Sequence, residues 1–213
     1  MKVAASLDGT SALGNGQSQW ITSAQARADG HAWRARACAV LTGIGTVLAD
    51  DPMLDVRDLP TPRQPIRVIV DSRLDTPPNA RLFQGASPVW IYTAARDPER
   101  QAALSARAAQ ITHMPDPHGK VDLKAMLAHL ASREINEVHV EAGSKLNGSL
   151  MRAGLVDELL VYLAPLLLGP GQGMLDLPAL SALEQGTALE WSDCERVGPD
   201  LRLRARLQGR DRF

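Results

Sequence analysis

Two glycine-bearing segments of this sequence have the residue types to grip a phosphate. The first is Glu141-Ala142-Gly143-Ser144-Lys145-Leu146-Asn147-Gly148-Ser149, which joins an apolar run to a helical pattern. Bare N–H groups at a helix start bind phosphate, and glycine lets a ligand approach the backbone. Gly143 and Gly148-Ser149 partly match the P-loop spacing, but no lysine precedes the final serine, which argues against a nucleoside triphosphatase. The run is not G-x-G-x-x-G either. A plain tight turn with helix-packing glycines would use the same residues. Glu141, at the strand's carboxyl end, faces the crevice where open α/β sheets bind ligands, or is a solvated strand-end carboxylate.

The second segment is Thr42-Gly43-Ile44-Gly45-Thr46-Val47-Leu48-Ala49-Asp50-Asp51-Pro52. Gly43, Gly45 and Thr46 place small groups and free N–H donors at another helix start. A dinucleotide has two phosphates and two riboses, so a pair of such loops suits it, with Asp50 and Asp51 available to ribose hydroxyls. A helix stop closed by Asp-Pro would read the same way. Arg27 and Arg34, seven apart on one helix face, and Arg57 in the loop beyond Asp-Pro add guanidinium groups. These bind phosphate through paired hydrogen bonds, although most arginines are simply solvated.

Other chemistries find little support. His31, His113, His118, His129 and His139 show no H-E-x-x-H spacing, and Cys38 and Cys194 form no C-x-x-C pair, so zinc is not expected. There is no G-x-S-x-G elbow. Trp20 follows small polar residues, where an indole lines a cofactor site or anchors a core. The formal net charge of −1 gives no field for nucleic acid or anionic membrane. No apolar stretch of 18 residues exists to span a bilayer. The two cysteines fit a reducing, cytoplasmic compartment.

The elements that must position these residues follow from periodicity. Strands are expected at residues 3–7, 39–42, 66–70, 89–92, 137–140 and 159–163. Thr22 with Gln25 forms a capping-box pattern, opening a helix with Ala26, Gly30, Trp33 and Ala37 on one stripe. A short helix opens at Gly43-Ile44-Gly45, and helices are predicted at 98–109, at Leu123-Met126-Leu127-Leu130 and at Leu146-Leu150-Ala153. Residues 188–195 and 201–207 flank Gly198-Pro199-Asp200 as a hairpin. Residues 58–65 and 74–80 read as exposed loops. The alternation predicts an α/β fold with a mixed, mostly parallel sheet and helices on both faces, in a single domain over 1–213. A chain that opens inside its first strand is expected to be a piece of a longer protein.

Taken in order, Ala5-Ser6-Leu7-Asp8-Gly9, Ser18-Gln19-Trp20-Ile21-Thr22, Gly45-Thr46-Val47-Leu48-Ala49-Asp50-Asp51-Pro52, Val70-Asp71-Ser72-Arg73, Glu141-Ala142-Gly143 and Gly154-Leu155-Val156-Asp157-Glu158 resemble the reductase domain of the bifunctional riboflavin-biosynthesis deaminase–reductase family. The resemblance covers almost the whole chain. It implies a dihydrofolate-reductase-like fold, a homodimer, and NADPH-dependent reduction of 5-amino-6-(5-phosphoribosylamino)uracil to its ribityl product. It further implies NADP contacts at Ala4, Trp20, Thr46, Asp50, Ser72 (with Arg73 beside it at the 2′-phosphate), Gly143, Ser144, Lys145, Leu146, Asn147, Gly148 and Ser149. Implied substrate contacts are Ser18, Arg34, Leu54, Arg57 and Glu141, with Arg34 and Arg57 on the sugar phosphate. Asp50 is the candidate acid–base group. Ser144-Lys145 departs from the family's usual Pro-Thr, which leaves the role of Lys145 open. The zinc deaminase signature, H-x-E with P-C-x-x-C, does not occur in this sequence. Two other readings are a reductase of the same fold acting on another heterocycle such as a pterin, and a non-catalytic NADPH-binding module.

Overall fold

The computed structural model describes residues 1–57 and 59–209, so Asp58, the first residue of the expected 58–65 loop, and residues 210–213 lie outside the described residues. The chain divides into two compact units: Met1–Gly30 with Gly143–Phe213, and His31–Ala142.

The His31–Ala142 unit is built on repeated strand–helix alternation. It holds β3 (Ala39–Gly43), α2 (Ile44–Asp50), β4 (Ile66–Val70), β5 (Val89–Thr93), α3 (Pro98–Ser105), β6 (Ala109–His113), α4 (Leu123–Ser132) and β7 (Val138–Val140). The five strands lie in the order β6-β5-β4-β3-β7, and every pairing is parallel. Continuous apolar runs suit strands covered on both faces: Leu41, Val68, Ile69, Ile91 and Tyr92 are all fully buried. Arg67 is the exception inside β4. Its guanidinium is 1% exposed and donates from Nη1 to the carbonyls of Leu82 (2.9 Å) and Ser87 (3.2 Å). Burial pushes its pKa down. Gly85 packs against that guanidinium, leaving no room for a Cβ.

Two expectations fail in this unit. The helix predicted over 98–109 ends at Ser105, and residues 109–113 form β6. Ala108 takes a left-handed φ of 60° between them, a stop usually marked by glycine, so no sequence signal announced it. The expected exposed loop at 74–80 is instead tied down. Asp71, fully buried, accepts from the Thr76 amide (2.8 Å) and hydroxyl (2.7 Å), and Leu74 and Ala80 join the core around Ile69 and Leu82.

The other unit holds β1 (Lys2–Ser6), β2 (Thr10–Leu13), α5 (Ser144–Arg152), β8 (Glu158–Ala164), β9 (Gly171–Gly173), β10 (Leu189–Val197) and β11 (Asp200–Leu207). Its main sheet runs β1-β8-β11-β10, and β2 pairs with β9. β1 lies parallel to β8, while β8, β11 and β10 are antiparallel neighbours, so the expected hairpin is present and supplies the antiparallel part of the fold. Helix α1 (Ala24–Arg36) begins in this unit. Its cap lies one residue later than the capping-box pattern placed it. Ser23 Oγ accepts from the Ala26 amide (3.2 Å), and Asp200 takes the reciprocal part by accepting from both Ser23 N (2.8 Å) and Ser23 Oγ (2.6 Å).

Candidate functional site

In the five-stranded sheet, β4, β5 and β6 follow β3 outward on one side, and β7 returns to its other side. Such a reversal opens a crevice beyond the carboxyl ends of the strands where the order turns back, β3 and its edge neighbour β7, and α/β proteins take their ligands in such crevices. Here those ends carry Thr42-Gly43 and Glu141. They are stitched together: the Glu141 amide donates to the Leu41 carbonyl at 2.8 Å, and Thr42 Oγ1 donates to the Glu141 carbonyl at 2.7 Å.

Four residues named from sequence alone meet at or near this point. Arg34, on α1, grips Glu141 as a fork, with Nε to Oε1 at 2.5 Å and Nη2 to Oε2 at 2.8 Å. Its Nη1 donates to the Asp55 carbonyl at 2.9 Å. Arg57 Nη1 binds the Asp55 carboxylate at 2.5 Å, and its backbone amide donates to His31 Nδ1 at 3.2 Å. Asp55 thus links the two arginines through one main-chain and one side-chain oxygen. The Arg34 and Glu141 side chains are only 15% and 16% exposed. Burial opposes the guanidinium charge, but Glu141 beside it outweighs that and holds the Arg34 pKa above its usual value. A guanidinium has five N–H donors. Among the described residues these contacts engage three of them, which leaves one N–H on each Nη. Leu54 differs: its side chain is 2% exposed and packed in the core, and its φ is 52°. Any ligand contact there falls to its main chain.

The second segment forms α2, which starts at Gly43 with no side-chain cap. Thr46 is half-buried in its first turn, and Asp50 is exposed at its end. Asp51 performs the helix stop in a left-handed conformation, and its carboxylate accepts from the Arg81 amide at 2.8 Å. Past β4, the half-buried Ser72 accepts from the Val121 amide through Oγ at 3.2 Å. Arg73 is exposed and paired to Asp75 at 2.9 Å.

In the other unit, Ala4 sits half-buried on β1 opposite Tyr162 of β8, and Ser18 is half-buried. Trp20 is 68% exposed, which removes the core-anchor alternative. Arg27 does not stand as a free phosphate ligand. Its guanidinium lies 4.4 Å over the Trp20 ring, and Nη1 donates to the Thr22 carbonyl at 2.8 Å. Helix α5 starts at Gly143, again without a side-chain cap, so the opening amides at Ser144, Lys145 and Leu146 are not held by a cap side chain. The second turn looks inward. Asn147 Nδ2 donates to the Met174 carbonyl at 3.4 Å, Gly148 packs against the Asp176 backbone, and Ser149 Oγ donates to the Lys145 carbonyl at 2.9 Å. Among the described residues, no group of three or more His, Cys, Asp or Glu side chains could hold a metal ion.

Sequence reasoning missed Asp55, His31 and His139. Asp55 had a signal, because a carboxylate two residues before Arg57 in an extended segment lies on the same side. His139 had the same signal, being two residues before Glu141 along a strand and its continuation.

Comparison with known proteins bears on the whole chain. The family model described as the RibD C-terminal domain matches residues 1–203. The riboflavin biosynthesis protein RibD of Escherichia coli (strain K12) is 41% identical over 214 residues, covering 94% of this chain and 57% of the relative. The structure of Acinetobacter baumannii RibD, form 1, superposes with a TM-score of 0.86 at 34% identity, over 97% of this chain and 57% of that one. A Thermotoga maritima structure described as a diaminohydroxyphosphoribosylaminopyrimidine deaminase/5-amino-6-(5-phosphoribosylamino)uracil reductase gives 0.80 at 26% identity, over 97% and 55%. The chain therefore spans little more than half the length of the curated relatives it matches and of these two structures.

Proposed function

This chain belongs to the RibD C-terminal domain family, and from that premise we propose that it reduces the ribosyl group of 5-amino-6-(5-phosphoribosylamino)uracil to the ribityl product with NADPH, a step of riboflavin biosynthesis. The observation that carries this reading is the Arg34–Glu141 fork at the sheet's switch point, with Arg57 joined to it through Asp55. A phosphate needs convergent guanidinium donors, and a sugar or uracil needs a fixed carboxylate acceptor; the cluster has both. The free Nη donors of Arg34 and the half-exposed Arg57 hold the 5′-phosphate, Glu141 takes the sugar hydroxyls or uracil, and Ser18 and the Leu54 main chain complete the contacts.

The residues present fit a pyridine dinucleotide. The uncapped starts of α2 and α5 offer backbone amides to phosphate. Ala4, Trp20, Thr46, Asp50 and Ser72 are the further contacts, with the run from Gly143 and Ser144 through Lys145, Leu146, Asn147 and Gly148 to Ser149. When bound, NADPH would supply a hydride to C1′ of the ring-opened imine, whose nitrogen takes up a proton as the C=N double bond becomes single. Positioning of that carbon by the arginine pair is the main contribution of the chain. Asp50 holds or delivers the proton that ring opening requires, and Asp50→Asn should lower turnover at least tenfold with little change in stability; normal turnover would remove it from that role.

Both units act as one reductase domain in this reading, in the cytoplasm and as a homodimer. Among the described residues no helix is long and apolar enough to cross a membrane. The dimer is supported by β10, an edge strand whose Leu189 and Trp191 are exposed, since such an edge usually finds a partner.

The test is to mix the protein with NADPH and the ribosylaminouracil phosphate and follow absorbance loss. Oxidation dependent on that substrate is expected, with none on dihydrofolate. The reverse preference would assign a different heterocycle, and cofactor binding without oxidation would make the chain a binding module. Arg57→Ala should raise the substrate KM tenfold or more at near-normal NADPH KM; an unchanged substrate KM would remove the phosphate clamp.

A further inference from the structure

Trp20 is 68% exposed, yet its ring has a holder. The Arg27 guanidinium lies over the indole, with Cζ 4.4 Å from the ring centroid. That guanidinium is itself fixed, because Nη1 donates to the Thr22 carbonyl at 2.8 Å. The backbone at this corner is anchored from β11. Asp200, 1% exposed, holds Ser23 through its amide and its hydroxyl, and the neighbouring Thr22 and Ala26 are buried. The start of α1 is therefore set without Arg27, and what Arg27 adds is a hold on the large side chain that projects there. Tryptophan is highly buried on average, so an indole this exposed forgoes the contacts that usually retain the residue. With the guanidinium covering one face, the exposed surface that remains offers a flat apolar contact to a ligand.

We propose that Arg27 is a positioning residue for the cofactor that acts through Trp20, its guanidinium holding the indole in one orientation before NADPH binds. A guanidinium on an indole face is attracted by the ring quadrupole and by planar stacking. An exposed aromatic side chain without such a contact samples several rotamers. Binding must then order it, which weakens affinity. Arg27 removes that loss. In this role Arg27 touches the indole and not the cofactor, so its effect disappears when the indole is absent. This inference rests on Trp20 being a cofactor contact.

The experiment is a double-mutant cycle on NADPH affinity, read by fluorescence titration of the protein without substrate. It uses Arg27→Gln, Arg27→Lys, Trp20→Leu and the double variant of Arg27→Gln with Trp20→Leu. Glutamine and lysine both suit a helix; should Arg27→Gln still fail to fold, Arg27→Met takes its place in the cycle. Arg27→Gln should raise the NADPH Kd at least threefold. Arg27→Lys keeps a cation to set over the ring and should stay within twofold of the parent. In the Trp20→Leu background Arg27→Gln should have no further effect, because residues that act through one another are not additive. A full additional loss in that background would place Arg27 on the cofactor itself or in the fold at large. Equal losses for glutamine and lysine would remove the cation over the ring as the cause. Either result overturns the proposal. Trp20→Leu separates the two kinds of failure. If it leaves the NADPH Kd unchanged, the reading of Trp20 as a cofactor contact fails. If it weakens binding while Arg27→Gln does not, only the present inference fails.

Discussion

Arg34→Met should lower kcat/KM for the ribosylaminouracil phosphate by about a thousandfold and also destabilise the fold. The two losses have different causes. For activity, methionine removes the two free Nη donors proposed for the phosphate. Hydrogen bonds to charged groups are worth about 1.5–3 kcal/mol each, and each 1.4 kcal/mol is tenfold, so two of them span a hundredfold to ten-thousandfold. For stability, the Glu141 carboxylate would be left in a site where it is only 16% exposed. Removing one partner of a buried pair costs about 3–5 kcal/mol. The residual exposure of both groups screens part of this, and about 2–3 kcal/mol is expected. Combining Arg34→Met with Glu141→Gln separates the two effects. The neutral amide no longer needs a counter-charge, so most of the stability should return while activity stays low. A double variant that regained turnover would show that the fork serves only the fold. A single variant of parental stability in chemical denaturation would show that the pair contributes no net stability.

The legibility of this site follows from how local its parts are. Glu141, Gly143 and Gly43 stand at strand ends, and strand ends are set by apolar runs that periodicity reveals. The β-branched run at 66–70 is β4 to the residue. Arg34 and Arg57 could be named because arginine is the natural phosphate ligand, but their joint engagement through Asp55 could not. That link depends on the chain after α2 taking a left-handed turn at both Asp51 and Leu54, and neither position carries glycine. The same blindness hid β6 behind Ala108. Where a left-handed residue is not glycine, tertiary contacts hold it there, and those contacts are not written locally. Arg67 shows the complementary case. The strand around it was legible, but the way a charged residue is accommodated inside it was not, because the accepting carbonyls of Leu82 and Ser87 and the space beside Gly85 come from a distant part of the chain. Ser23 and Asp200 form a cap across 177 residues of chain, which a capping box read from neighbouring residues assigns to the wrong partner.

Two glycine-to-alanine changes, each inside a helix, should have opposite signs. At Gly30 in α1 an added Cβ would meet nothing within 4 Å, so Gly30→Ala should stabilise by about 0.5–1 kcal/mol through helix propensity alone. At Gly148 in α5 the same gain is available, but the Cβ would overlap the carbonyl of Asp176. That carbonyl is not the tip of a flexible side chain. It accepts from Arg152 Nη1, and the Asp176 amide donates to the Ser144 carbonyl at 3.0 Å. Either the overlap is kept as strain, or the 174–176 segment lifts away. Lifting breaks those bonds and takes the Met174 carbonyl from Asn147, whose side chain is 1% exposed. Losing these hydrogen bonds together costs about 1–3 kcal/mol, and overpacking costs about the same. The clash therefore outweighs the propensity gain, and Gly148→Ala should destabilise by about 2–3 kcal/mol. For a chain of this size that lowers Tm by roughly 5–10 °C, against a rise of a few degrees for Gly30→Ala. Because Ser144 opens α5, the Gly148 variant should also bind NADPH more weakly in fluorescence titration, whereas the Gly30 variant should not. Equal Tm shifts of one sign for the two would show that helix propensity alone governs both positions, and that the Asp176 segment yields without cost.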